Sequence, residues 1–412
     1  MMQPKSQSDN IWDEHYPLLQ PHSNNNTLPI NNFFSPEVVN AYTYGIQAFA
    51  ITLVTFSILS LAGLVLCQLF TLSSAYCAFF RLLWLISPAV SALSLRHIAG
   101  THLNFRYNVI MGFPMWEIPP LADLFRCYPK SSFARTLSMS FFIPLLCQIA
   151  AYTLVAATRM VNPFNRAFVE RAESVFSFDN LDAKDGGLVF YVFYLVVAGV
   201  LWDPVPPRRY DFGVAVDSKP IGMLACLILC FTVVALGCSW LLLALFQEIG
   251  WSGALYPALD IVFGHSAFLA SVVTGLVWAA WHWPFILAEK YKLIPPGTGY
   301  SVVDAPDFEV VSVLTIFTIL LVGSRLIMCW IQGKSSYVIW SSTLYHASHC
   351  LFIVSVFGQL TSPLYEKTED YPYFSSEGSI CLVVTTWFST CILSQLFRGN
   401  YFKFLSRWRK RY

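Results

Sequence analysis

The sequence predicts an all-α, multi-pass bundle of transmembrane helices built around a buried polar site, and three observations predict it. Of the 412 residues, 56% are hydrophobic and only 12% are charged, where a typical soluble domain has about 25% charged residues. Apolar runs of about 20 residues, the length that crosses a bilayer, recur along the chain and give about eight or nine spans. Three of these runs carry or border ionisable groups, namely Glu248, His282, and His346 with His349. An acidic residue at mid-membrane costs roughly 2.5–3.5 kcal/mol on insertion scales, so such groups face polar partners inside the bundle.

The N-terminal segment 1–45 is polar and rich in Asn, Gln, Ser and Pro, and it lacks a basic region followed by an apolar core. It reads as a disordered tail and not as a signal peptide. Two short patterns within it oppose each other. Glu14 to Leu19 resembles a cytosol-read dileucine signal, whereas Asn25-Asn26-Thr27 is a lumenal glycosylation sequon. Neither carries weight.

Apolar length places spans near 47–71, 76–95, 136–158, 187–203, 221–247, 266–287, 308–331, 336–358 and 378–397. The second carries Arg81 and the fourth is short, so either could lie at the interface or inside the bundle. The segment 96–135 mixes Pro, aromatic and basic residues and is expected on the membrane surface, and Val161 to Phe178 is expected to form an amphipathic surface helix. These spans divide the chain into a first helical region, 46–215, a second, 216–397, and a basic tail, 398–412. The tail holds Arg398, Lys403, Arg407, Arg409, Lys410 and Arg411 directly after the last span, whereas the preceding loop holds Glu366, Glu369, Asp370 and Glu377. Positive-inside bias therefore puts the C-terminus in the cytosol. Nine spans would leave the N-terminus outside and eight would bring it in. No internal repeat is visible.

A formal net charge of +1 and the absence of a basic patch argue against a nucleic-acid partner; membrane lipids are the expected surroundings. The 11 Cys lie mostly in apolar runs and read as small lipid-compatible residues. Cys226 and Cys230 share a helix face, but no His or carboxylate joins them as a metal site would require.

Glu248, His282, His346 and His349 fall in three separate apolar stretches and are expected to converge. His346, His349 and Cys350 share one helix face through spacings of three and four. Such a set supports water activation, with a Glu base, His or amide groups for the oxyanion, and a metal held by His as an option. It equally describes an interhelical hydrogen-bond network that only holds the bundle together, at roughly 0.6–2 kcal/mol per bond. Trp278, Trp281 and Trp283 read first as an interfacial aromatic belt and second as cleft walls. Arg325, inside the 308–331 span, reads either as neutralising an acidic group or as snorkelling to the interface, and snorkelling is preferred because the sequence offers it no evident partner.

The same three stretches resemble the CAAX prenyl protease and bacteriocin-processing family, also called the ABI family of intramembrane proteases. Its first motif is a Glu-Glu pair with Arg four residues beyond the second Glu, followed by Leu-Pro-x-Leu; Gln247-Glu248-Ile249-Gly250-Trp251-Ser252-Gly253 and Leu255-Tyr256-Pro257-Ala258-Leu259 keep that frame. The second, Phe-x-x-x-His, often Trp-Ala-x-Trp-His-x-Pro, is similar to Trp278-Ala279-Ala280-Trp281-His282-Trp283-Pro284. The third, often His-Ala-Ser-His-Asn with a Trp six positions earlier, is similar to Trp340 with His346-Ala347-Ser348-His349-Cys350. The resemblance covers roughly 247–350.

The resemblance implies a membrane-embedded endopeptidase that trims prenylated or membrane-associated proteins near the cytosolic face, in the endoplasmic reticulum membrane rather than the vacuole or plasma membrane. Glu248, His282 and His346 match the family's functional positions, with Gln247, Ser252, Trp278, His349 and Cys350 around them. Glu248 would activate water, His282 would position it, and His346 would stabilise the oxyanion. A zinc ion on His282 and His346 is the metal option. Three family residues are replaced, the first Glu by Gln247, the Arg by Ser252 and the Asn by Cys350. These replacements imply the alternative, a pseudoprotease that binds a lipidated or membrane partner without cutting it.

Overall fold

Long apolar stretches can cross lipid only if every backbone N–H and C=O is satisfied within the segment, which makes them helical. The computed structural model describes residues 36–102, 131–157, 161–162, 223–264, 266–295, 310–334, 339–352, 362–363 and 386–387. It is an all-α bundle in which, among the described residues, five helices are long and apolar enough to cross a membrane. The helices in chain order are α1 (Pro36–Leu69), α2 (Ser74–His102), α3 (Ser131–Ala157), α4 (Met223–Gly250), α5 (Tyr256–Val262), α6 (Ala267–Lys290), α7 (Val310–Lys334) and α8 (Ile339–Cys350). A five-residue π-helical turn, Trp251–Leu255, joins α4 to α5.

Helix α1 begins at Pro36, ahead of the residue-45 boundary expected for the tail. Pro at the start of a helix forfeits no hydrogen bond, and Glu37 in the first turn meets the positive end of the helix dipole. A hydropathy window sees only the apolar part that follows. A tight turn with Thr71 at φ 47° reverses the chain, closed by Leu72 N–H donating to Cys67 O at 3.0 Å. The two helices therefore pack antiparallel along their length.

Helix α2 corrects a second expectation. It runs through Arg96 to His102, so Arg96 is not in a surface loop but is buried inside the bundle. Arg135, at the other end of the expected loop, lies in α3. Val161 also does not open a surface helix: Val161–Asn162 (β1) pairs antiparallel with Ser362–Pro363 (β2). The expected span at 187–203, the tail 1–35, residues 103–130 and the basic segment 398–412 lie outside the described residues. Of the span at 378–397, Thr386 and Trp387 are described, and Trp387 Nε1 donates to Ile319 O of α7 at 3.0 Å.

Helix α4 is packed by α2 on one side and α8 on another, α6 lies along α7, and α3 supports α7 and α8. Close approach rests on small residues, as is usual where helices associate in lipid. A Cβ on Gly250 would stand 2.4 Å from Pro88 O of α2, and one on Gly275 would stand 2.9 Å from Val322 Cα of α7. Both glycines set interhelical distances next to the polar groups.

Candidate functional site

The turn after α4 is where the backbone departs from a regular helix, and Pro257 is a sufficient reason. In an α-helix, the N–H of residue 257 would bond the carbonyl of Gly253, but proline has none. Tyr256 N–H reaches back to Trp251 O, the i→i−5 pattern of a π turn, and this frees the carbonyl of Ser252 as well. Two buried side chains from other helices fill the vacancies. Gln332 Nε2 of α7 donates to Ser252 O at 2.8 Å, and Arg96 Nη2 of α2 donates to Gly253 O at 3.1 Å.

One turn earlier sits Glu248, fully buried. Its carboxylate receives four hydrogen bonds. Arg325 of α7 grips it with both terminal nitrogens, Nη1 to Oε2 at 2.7 Å and Nη2 to Oε1 at 3.1 Å. Ser252 Oγ donates to Oε2, and Arg325 Nη1 also reaches Ser252 Oγ at 3.1 Å. His346 Nδ1 of α8 lies 2.9 Å from Oε1. A carboxylate offers about four lone-pair sites, and all are taken. Facing a guanidinium that is always protonated, the carboxylate can only accept, so His346 Nδ1 carries a hydrogen, and in the neutral imidazole Nε2 is the nitrogen with the lone pair.

Arg325 thus corrects the sequence reading. It does not snorkel: it is buried, paired and stacked, with its Cζ 4.3 Å from the Trp278 ring centroid. The aromatic belt is corrected in part, since Trp278 and Trp281 are buried in the interior and Trp283 alone of the three, at 37% exposure, is open to the surroundings. Trp278 also packs edge-on against His346, with centroids 4.9 Å apart, and tilts against His282 at 6.0 Å. His282 sits in an aromatic enclosure of Trp84, Trp281 and Phe317, with centroids at 5.7, 4.7 and 5.8 Å.

The structure brings Ser252 and His346 into direct contact with Glu248, and Trp278 packs against both His346 and His282. Gln247 does not join them. Neighbouring side chains on a helix diverge by about 100°, and Gln247 Oε1 is buried with no hydrogen-bond partner among the described residues. His349, on the same helix as His346, is buried and stacked on Tyr345 at 6.3 Å, its Nε2 unpartnered among the described residues. Cys350 is buried and belongs to no disulfide among the described residues.

These residues do not fit a zinc ion. Among the described residues no group of three or more His, Cys, Asp or Glu is arranged to hold one. Glu248, the carboxylate such an ion would need, has its acceptor sites filled and faces a cation. Sequence reasoning missed Arg96 and Gln332, and it preferred snorkelling over the acid-neutralising reading of Arg325. A signal existed for each: Glu248 needed a counter-charge that Ser252 cannot supply, and Pro257 leaves carbonyls that need donors.

Residues 229–368 match the family model described as Type II CAAX prenyl endopeptidase Rce1-like. No curated protein matches the chain.

Proposed function

Because residues 229–368 match the model of the Rce1-like type II CAAX prenyl endopeptidases, we propose that this integral membrane protein hydrolyses a peptide bond near the C-terminus of prenylated proteins, at the cytosolic face of the endoplasmic reticulum membrane. The observation that carries this reading is the 2.9 Å contact between His346 Nδ1 and Glu248 Oε1. It supports a carboxylate–imidazole pair, in which the acid fixes the tautomer and orientation of the base.

The roles follow from which atoms are free. Glu248 has no acceptor site to spare, so it acts as the orienting group. His346 Nε2 takes a proton from water as the oxygen attacks the scissile carbonyl, and the imidazolium so formed is stabilised by the Glu248 carboxylate. His282, which also packs against Trp278, donates to the developing oxyanion. Collapse of the tetrahedral intermediate breaks the C–N bond, and the proton on His346 passes to the departing amine. Water and the peptide bond are consumed; a carboxylic acid and an amine result, and no further reactant is required.

A second reading has its own support. Gln247 and Cys350 stand where the family pattern has Glu and Asn, and a chain with these replacements could keep the fold to bind a lipidated partner without cutting it. The experiment that separates the two is cleavage of a prenylated CaaX peptide by the full chain, in membranes of cells lacking their own CaaX protease. The endopeptidase reading expects product from the native chain and none above background from His346→Gln. Native chain that binds the prenylated peptide without producing cleavage product establishes the second reading.

A further inference from the structure

We infer that Arg325 is the positioning residue that locks Glu248 toward His346, and that it does so from the space a guanidinium carried by position 252 would fill. The first half rests on the endopeptidase reading; the second is a statement about the bundle alone.

The geometry is specific. Arg325 Nη1 contacts both Glu248 Oε2, at 2.7 Å, and Ser252 Oγ, at 3.1 Å, and Ser252 Oγ itself donates to Glu248 Oε2. Carboxylate, hydroxyl and guanidinium therefore form a closed triangle. Ser252 lies four residues beyond Glu248, the spacing at which an acid followed by a base pairs on one helix. A longer cationic side chain at 252 would extend into the volume that the Arg325 head now occupies over Trp278. The charge that balances Glu248 thus reaches it across helices from α7 instead of along the α4 segment. Two further contacts pin this arrangement. Gln332, two turns along α7 from Arg325, holds Ser252 O, and Gly275 lets α6 approach α7 at Val322, three residues before Arg325.

Arg325 is fully buried and bonded to Glu248 and Ser252, so its substitution should act on turnover and leave substrate affinity alone. The test compares Arg325→Met, Ser252→Arg, and the double variant Ser252→Arg/Arg325→Met, each as the full chain in lipid nanodiscs, with the native protein. Both the thermal unfolding midpoint and the kinetics on a prenylated CaaX peptide are read.

Arg325→Met should lower kcat by roughly 10²-fold or more, the usual scale for disabling a general base, with KM changed by less than about threefold. The double variant should regain at least about tenfold of that loss, because the i,i+4 pair restores the counter-charge. The midpoint should fall in Arg325→Met, recover by at least half in the double variant, and fall in Ser252→Arg alone, where two guanidinium groups crowd one carboxylate. A double variant no more stable than Arg325→Met overturns the interchange whether or not the native chain turns over. Unchanged kcat in a folded Arg325→Met overturns the positioning role. Lack of cleavage by the native chain, with the midpoint recovering as stated, instead removes the endopeptidase reading and leaves the interchange standing.

Discussion

At the scale of single residues, Glu248 is the group on which the site depends, and its surroundings explain why a bare acid can sit inside a membrane bundle. The desolvation that would otherwise be prohibitive is offset by a two-pronged guanidinium, a hydroxyl and an imidazole. Removing one partner of a buried ion pair usually costs about 3–5 kcal/mol, because the other charge stays buried and uncompensated. Glu248→Gln should therefore lower stability by about that amount, and Glu248→Gln/Arg325→Met should regain part of it, as read from unfolding midpoints in detergent. A double variant less stable than Glu248→Gln would mean that Arg325 is stabilised by something other than Glu248. Glu248, His282 and His346 were legible as a set because lipid leaves so few places for polar side chains. The pairing of Arg325 was only one of two readings, since linear sequence does not reveal that residues 77 positions apart face each other.

At the scale of elements, the π turn Trp251–Leu255 is the device that aims the site. It follows from Pro257, and its freed carbonyls are held by Gln332 and Arg96. Leaving a buried carbonyl unsatisfied costs roughly 1–3 kcal/mol, so Gln332→Leu should destabilise by that order. Pro257→Ala supplies an N–H that can bond Gly253 O and turn the segment toward a regular α-helix. The expected outcome is a larger fall in peptide cleavage than in stability, since Ser252 would rotate away from Glu248; equal cleavage would show that the π turn is not needed for aiming. Gly250→Ala places a methyl group 2.4 Å from the Pro88 carbonyl and should cost about 1–3 kcal/mol as overpacking, checked by the unfolding midpoint. The apolar centres of the helices were legible from length and composition. Their polar ends were not, which is why α1 started earlier and α2 ran deeper than hydropathy suggested, carrying Arg96 into the interior.

At the scale of the whole molecule, the family match covers 229–368, yet the site draws on helices before it. Trp84 of α2 forms part of the enclosure around His282, and Arg96 of the same helix caps the π turn. The α1–α2 hairpin is thus part of the frame, something the motif residues alone do not indicate. Orientation belongs to this scale too. The basic segment Arg398 to Tyr412 should lie in the cytosol. A glycosylation reporter fused after Tyr412 should remain unmodified, and its modification would place the segment, and the end of the bundle nearest it, on the lumenal side.

We propose that Glu248 and His346 act as one catalytic unit, with His346 as the base. A double-mutant cycle on kcat/KM for a prenylated CaaX peptide, using Glu248→Gln, His346→Gln and the combination, decides whether they do. Groups that act as a unit are strongly non-additive, so each single variant should lose roughly 10²–10⁴-fold and the double should be no worse than the poorer single. Native turnover in His346→Gln with none in Glu248→Gln, or losses that multiply in the double variant, would contradict it.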